Sequence, residues 1–326
     1  MTMSNDKKIK FLKVTSVMLA AASLSLAGCT SGDTQSSTSG ADNPTVGATL
    51  LSLEYPFLVT LDEAMSAKAS DAGINLVSLD PRQEVSTELT QIEDLITRKV
   101  DAIVMIPVDQ KTSQEAAKKV NAAEIPLVLV NTRFTDDFAG EFVTYVGSDD
   151  TEAGEIQASY ANEQLADGDQ IIYMVTQYGG ASTERRKSGF VDNLKDGITI
   201  ATEIEALGSR AEAKTTMEDL LRRYSKEGEI KAVIAQNDEM AIGAASAIAE
   251  AGRTDEFTVI AGVDGSDAGL DAVEAGTISA TVFQDAVGQG DAAMEAVSKV
   301  VSGESVEKEI IIPFQLVTSE NLAEYK

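Results

Sequence analysis

Four short apolar runs in this chain end on small polar side chains that can hydrogen-bond. Asn131 follows the run 126–130, Gln236-Asn237-Asp238 follow 232–235, Asp264-Gly265 follow 258–263, and Gln284 follows 279–283. Amides and carboxylates of this size supply donors and acceptors without bulk. Brought together, they suit a ligand made of hydroxyl groups, because every buried hydroxyl needs a partner. Each position also has a local explanation. Asn237 or Asp238 serves equally well as a helix cap, Asp264-Gly265 as a turn, and Asn131 as the start of a loop. Four such endings in one chain favour a shared polar crevice.

Composition narrows the chemistry further. The 326 residues include no His, which removes His-based triads, H-E-x-x-H zinc sites and the usual general base near neutral pH. One Cys allows neither an internal disulfide nor a Cys-clustered metal site. Asp and Glu number 53 against 26 Lys and Arg, a net charge of −27 that repels phosphate backbones and argues against nucleic-acid binding. The charge itself reads most simply as solubility; docking on a basic protein surface is the sharper reading. The segment after the first apolar run is Leu53-Glu54-Tyr55-Pro56-Phe57, with no G-x-G-x-x-G, and no phosphate-binding G-x-x-x-x-G-K-[ST] occurs. A glycosidase needs two carboxylates across one cleft, and only Asp264 and Glu184 offer themselves. Asp264-Gly265-Ser266-Asp267 lacks the alternating oxygen ligands and later Glu of a calcium loop. No enzyme activity, cofactor or metal is expected.

The elements that must position these residues alternate in type. Strand-like runs are expected at 46–53, 74–79, 102–107, 126–130, 142–146, 171–176, 198–204, 232–235, 258–263 and 279–283. Between them apolar residues recur at helical spacing, as in Val85, Leu89, Ile92, Leu95 and Ile96, or Ile242, Ala245, Ile248 and Ala249. Gly73 and Gly252 mark helix ends. The apolar runs are continuous, as in parallel strands buried on both faces. About ten such strands imply an α/β protein with two helix-covered parallel sheets. In open sheets of this kind the carboxyl ends of the strands form the ligand crevice.

The N-terminus carries an address. Lys7, Lys8, Lys10 and Lys13 precede an apolar run at 14–27 and then Leu26-Ala27-Gly28-Cys29. This is a secretory signal, too short to span a bilayer. A cut before the only Cys resembles the bacterial lipoprotein signal, in which Cys29 becomes the lipidated first residue. The alternative is an ordinary signal peptide with a chance Cys. Residues 1–28 are thus expected to be removed, and 29–44, rich in Ser, Thr and Gly, to form a tether. An extracytoplasmic, membrane-anchored protein is expected. A secretion signal without a basic DNA-binding segment also excludes a repressor.

At this point the sequence resembles the periplasmic sugar-binding proteins of the ribose and galactose class, substrate-binding subunits of ABC importers. The resemblance rests on Ala235-Gln236-Asn237-Asp238-Glu239-Met240-Ala241, Gly262-Val263-Asp264-Gly265 and Ala280-Thr281-Val282-Phe283-Gln284. Pro56-Phe57, Val146-Gly147-Ser148-Asp149 and Arg186-Lys187-Ser188-Gly189-Phe190 add to it. It implies a type 1 periplasmic binding protein: two Rossmann-like lobes joined by a three-strand hinge, closing on the ligand. By resemblance the first lobe is 45–148 plus 285–313 and the second 149–284 plus 314–326. Tyr55, Phe57 and Asn131 would face the ligand from the first lobe, and Arg186, Asn237, Asp264 and Gln284 from the second lobe and hinge.

The departures bear on ligand identity. The ribose-type Asp-Arg is replaced by Asn131-Thr132-Arg133, so Arg133 either substitutes for that arginine one residue late or points to solvent. Glu184 stands where an arginine is expected; it either pairs with Arg186 or accepts a ligand hydroxyl. The second-lobe aromatic expected near Leu207-Gly208 is missing, which leaves Phe57, Tyr55, Tyr178 or Phe283 as a stacking platform. The expected protein is a monomer that carries a monosaccharide or polyol, an aldose or an inositol-like ring, to an ABC permease. The alternative is a sensor presenting a sugar or autoinducer to a receptor.

Overall fold

Apolar stretches with both faces buried assemble into two six-stranded sheets. The computed structural model describes residues 43–135 and 137–326. The expected signal segment, Cys29 and nearly all of the expected tether lie outside the described residues. The first sheet contains β1 (Thr45–Leu50), β2 (Asn75–Leu79), β3 (Ala102–Ile106), β4 (Leu127–Val130), β5 (Thr144–Gly147) and β11 (Glu309–Ile311). Its order is β11-β5-β4-β3-β1-β2, with every pairing parallel. The second contains β6 (Gln170–Val175), β7 (Thr199–Glu205), β8 (Ala232–Ala235), β9 (Val259–Asp264), β10 (Ala280–Phe283) and β12 (Gln315–Thr318). Its order is β12-β10-β9-β8-β6-β7, parallel except for antiparallel β12 on β10.

Helices cover both faces: α1 (Pro56–Asp71), α2 (Val85–Arg98), α3 (Gln114–Ala122), α4 (Asp150–Gln164), α5 (Ala181–Asn193), α6 (Arg210–Arg223), α7 (Asp238–Glu250), α8 (Asp267–Glu274) and α9 (Ala286–Val301). Strand β3 shows how the continuous runs are used. Val104 and Ile106 pack with Leu61 and Met65 of α1 and Met294 of α9. Ile103 and Met105 point the other way, onto Ile92 and Leu95 of α2 and Val120 of α3. In β6, Ile172 and Met174 meet α6 and α7, while Ile171, Tyr173 and Val175 meet Ala158 of α4 and Phe190 of α5. Burying each large aliphatic side chain contributes about 1.5–3 kcal/mol, so the sheets are held rigid from both sides.

The chain passes between the sheets three times: after β5, after β10 and between β11 and β12. The ten anticipated runs all form strands. The all-parallel expectation is corrected at β12: β11 runs toward the carboxyl edge of the first sheet, and residues 312–314 lead the chain on into the second sheet from its own carboxyl edge, so β12 runs against β10. Strands β11 and β12 were not anticipated, since three and four residues of mixed polarity carry little pattern. Among the described residues no helix is long and apolar enough to cross a membrane.

Candidate ligand-binding site

The carboxyl ends of both sheets border one cavity of about 450 Å³, a size typical of small-molecule sites. Its wall includes Tyr55 and Phe57 beyond β1, Asn131 beyond β4, Asn237 beyond β8, Asp264 at the end of β9, Gln284 beyond β10, and Arg186 of α5. These are seven of the nine positions singled out in the sequence.

Arg186 is placed by an unusually close helix pair. A side-chain carbon on Gly154 of α4 would lie 2.0 Å from the Arg186 carbonyl oxygen, and one on Gly189 of α5 would lie 2.0 Å from that of Thr151. Only glycine at both positions lets the two backbones touch. Arg186 is then within reach of Asp150 at the start of α4: Nε donates to Oδ1 at 2.8 Å, with both side chains about nine-tenths buried. Nη1 donates to the Gln236 carbonyl at 2.6 Å and Nη2 to Gln284 Oε1 at 3.1 Å. Burial opposes its charge, but the Asp150 and Asp264 carboxylates outweigh that and hold its pKa above the usual arginine value.

Asp264 is the strained member. Its φ is 120°, a conformation that non-glycine residues rarely adopt and that costs on the order of 1–3 kcal/mol. Ladder pairing with Phe283 and the Gln284 N–H donating to its carbonyl at 2.9 Å hold it there. Burial raises its pKa well above the ordinary carboxylate value, nearby Asp238 raises it further, and Arg186 pulls it down. No described residue donates a hydrogen bond to its carboxylate. Asp238 is buried behind it and is satisfied by the Ser266 N–H and hydroxyl at 2.9 Å each and the Thr281 hydroxyl at 2.6 Å. Asp238 therefore braces the loop after β9 rather than facing the cavity.

Asn237 does two jobs. Its Oδ1 caps α7 by accepting from Met240 N–H at 3.0 Å, and its Nδ2 donates to the Gly208 carbonyl at 3.0 Å, yet it remains part of the wall. The cap explanation and the crevice explanation hold together. Asn131 sits at φ 59°, a left-handed conformation that Asn tolerates well. Tyr55 donates from its hydroxyl to Gln83 Oε1 at 3.1 Å. Its ring lies against Gly208 of the second sheet's layer, where a side-chain carbon would approach it to 2.9 Å. An aromatic from the first lobe thus occupies the neighbourhood where a second-lobe aromatic is missing. Of the four candidate stacking rings, Tyr55, Phe57 and Tyr178 line the cavity. Phe283 packs on Tyr325 instead, ring centres 5.0 Å apart.

The remaining two candidates are placed elsewhere. Arg133 lies over the Tyr145 ring at 4.1 Å and pairs with Glu309 at 3.2 Å, so it neither reaches the cavity nor projects freely into solvent. Glu184 accepts from the Gly179 N–H at 3.2 Å and secures the loop before α5 rather than pairing with Arg186. The wall also recruits residues not foreseen: Gln83, Asp109, Gln110, Thr132, Thr176 and Thr183. Asp109 and Gln110 stand three and four residues beyond β3, and Gln83 four beyond β2, so the rule that found Asn131, the residue next to its strand, does not mark them.

Strand-end amides and acids around a partly open polar cavity between two α/β lobes define a binding protein for a small hydroxylated solute. The chain belongs to the periplasmic binding protein family: a periplasmic binding protein domain model matches residues 37–305. It is 35% identical over 290 residues to a putative rhizopine-binding protein of Rhizobium meliloti, covering 86% of this chain and 92% of that one. It is 30% identical over 274 residues to the ribose import binding protein RbsB of Bacillus subtilis, covering 84% and 87%. An ABC transporter solute-binding protein from Bacillus halodurans, solved with bound myo-inositol, superposes with a TM-score of 0.82 at 31% identity, covering 88% of this chain and 98% of that one. The family consists of solute-binding proteins that act outside the cytoplasm, not of enzymes.

Proposed function

We propose that this protein captures a monosaccharide or polyol between its lobes, outside the cytoplasmic membrane to which lipidated Cys29 anchors it, and delivers it as a monomer to an ABC import permease. Asp264 carries the reading. It is a partly buried carboxylate at the cavity wall to which no described residue donates a hydrogen bond, and ring hydroxyls supply what it lacks. Arg186 keeps two of its five N–H groups free of the three bonds described above and donates to hydroxyl or ring oxygens. Tyr55 or Phe57 gives an apolar ring face a platform. Hydrogen bonds to charged groups contribute about 1.5–3 kcal/mol each, so a few of them support affinity near the micromolar range, about −8 kcal/mol. Ribose and myo-inositol, the solutes of two of these relatives, belong to this chemical class. Thermal-shift titration with aldoses, inositols and linear polyols tests the reading. At least one is expected to raise Tm in a concentration-dependent way; no shift with any of them overturns it.

A further inference from the structure

Gln289 lies one turn into α9, fully buried, away from the cavity wall. Its Nε2 donates to the Ser148 hydroxyl at 2.9 Å, and its Oε1 accepts from Asn131 Nδ2 at 3.3 Å. Ser148 is in the segment that leaves the first sheet after β5, and α9 begins directly after the second crossing. The same corner is pinned by Tyr145, whose hydroxyl is 2.8 Å from the Asn131 carbonyl and 3.1 Å from that of Ser148. Arg133 stacks on Tyr145 and pairs with Glu309 of β11, beside the third crossing.

An Asn amide on a left-handed residue has two faces to offer a ligand, and its own backbone does not choose between them. Gln289 makes the choice. With Nδ2 held by Gln289 Oε1 and Oδ1 taking the Thr132 hydroxyl at 3.3 Å, one amide hydrogen and one lone pair of Asn131 remain. We propose that Gln289 is a positioning residue: it fixes which edge of the Asn131 amide meets the ligand and ties that amide to the first crossing through Ser148. The inference rests on the reading that Asn131 faces a sugar or polyol, and it adds a route from that contact to the first crossing between the sheets.

The test is a double-mutant cycle read by calorimetry with the tightest binder among ribose, xylitol and myo-inositol. Gln289→Met keeps volume and removes both bonds; Ser148→Ala removes one without touching Gln289. Gln289→Met is expected to weaken binding about tenfold, the equivalent of one hydrogen bond. In an Asn131→Ala background it is expected to add nothing. Additive effects would show that Gln289 acts on its own and overturn the inference. Unchanged affinity in Asn131→Ala alone would instead remove Asn131 from the site. A readout independent of any ligand is the side-chain amide NMR signal of Asn131 in protein labelled with ¹⁵N at asparagine. It is expected to move in Gln289→Met while that of Asn237 stays. An unmoved Asn131 signal overturns the inference whatever binds.

Discussion

Asp264 combines three costs in one residue: a backbone conformation suited to glycine, a partly buried carboxylate, and a second acid behind it. Proteins tolerate such costs where function returns them. Asp264→Asn keeps the size, tolerates positive φ and removes the charge. It is expected to weaken sugar or polyol binding by about 10- to 100-fold, the loss of a charge-assisted hydrogen bond. The ligand-free protein is expected to melt no lower than the parent, because the repulsion with Asp238 disappears. Calorimetry and thermal melts read the two effects separately; full retention of affinity would misplace the crevice.

Elements, rather than single residues, aim the side chains. The contact of α4 with α5 through Gly154 and Gly189 delivers Arg186 to Asp150. On the opposite wall, α2 steadies the loop after β3 through Glu88. Glu88 is fully buried and accepts from the Val108 N–H at 2.9 Å, while its second oxygen has no partner among the described residues. Burial pushes its pKa up to about 7 from 4.5, hydrogen bonds from Ser113 and Val108 oppose the rise, and Asp109 adds to it. A raised carboxyl pKa means that the folded state holds the proton more tightly than the unfolded chain. Its contribution is therefore complete below about 4.5 and is lost as pH rises through about 7. Glu88→Gln, which cannot ionise, is expected to gain in Tm relative to the parent as pH goes from about 5 to about 8. A pH-independent difference between the two melts would refute this assignment.

For the whole molecule the governing quantity is its net charge of −27. Self-repulsion at that charge destabilises a compact state, and salt screens it over about 10 Å at 0.1 M. Raising NaCl from about 0.01 M to about 0.5 M is expected to raise Tm while leaving the Kd of a neutral sugar within about twofold. Strong salt dependence of Kd would mean that the solute itself is charged.

The architecture was legible because it depends on short-range pattern. Continuous apolar runs such as 102–107, with helical periodicity between them, leave few alternatives to doubly covered parallel sheets. Strand ends then mark the crevice, which is why Asn131, Asn237, Asp264 and Gln284 were found without coordinates. Glu184 is held locally by the Gly179 N–H, but the other positions that escaped or were misplaced are decided by partners farther along the chain. Arg133 stays out of the cavity because Tyr145 and Glu309, the latter 176 residues later, hold it. Gln289 acquires meaning only from Asn131, 158 residues earlier, and Gln83 only from the Tyr55 hydroxyl. Sequence alone determined ten of the twelve strands and which of their ends are polar, because burial period and residue size are local properties. The tertiary structure alone decided which of those polar ends share one cavity and in what orientation, because that depends on how helices and crossings bring distant segments to within a hydrogen bond of each other.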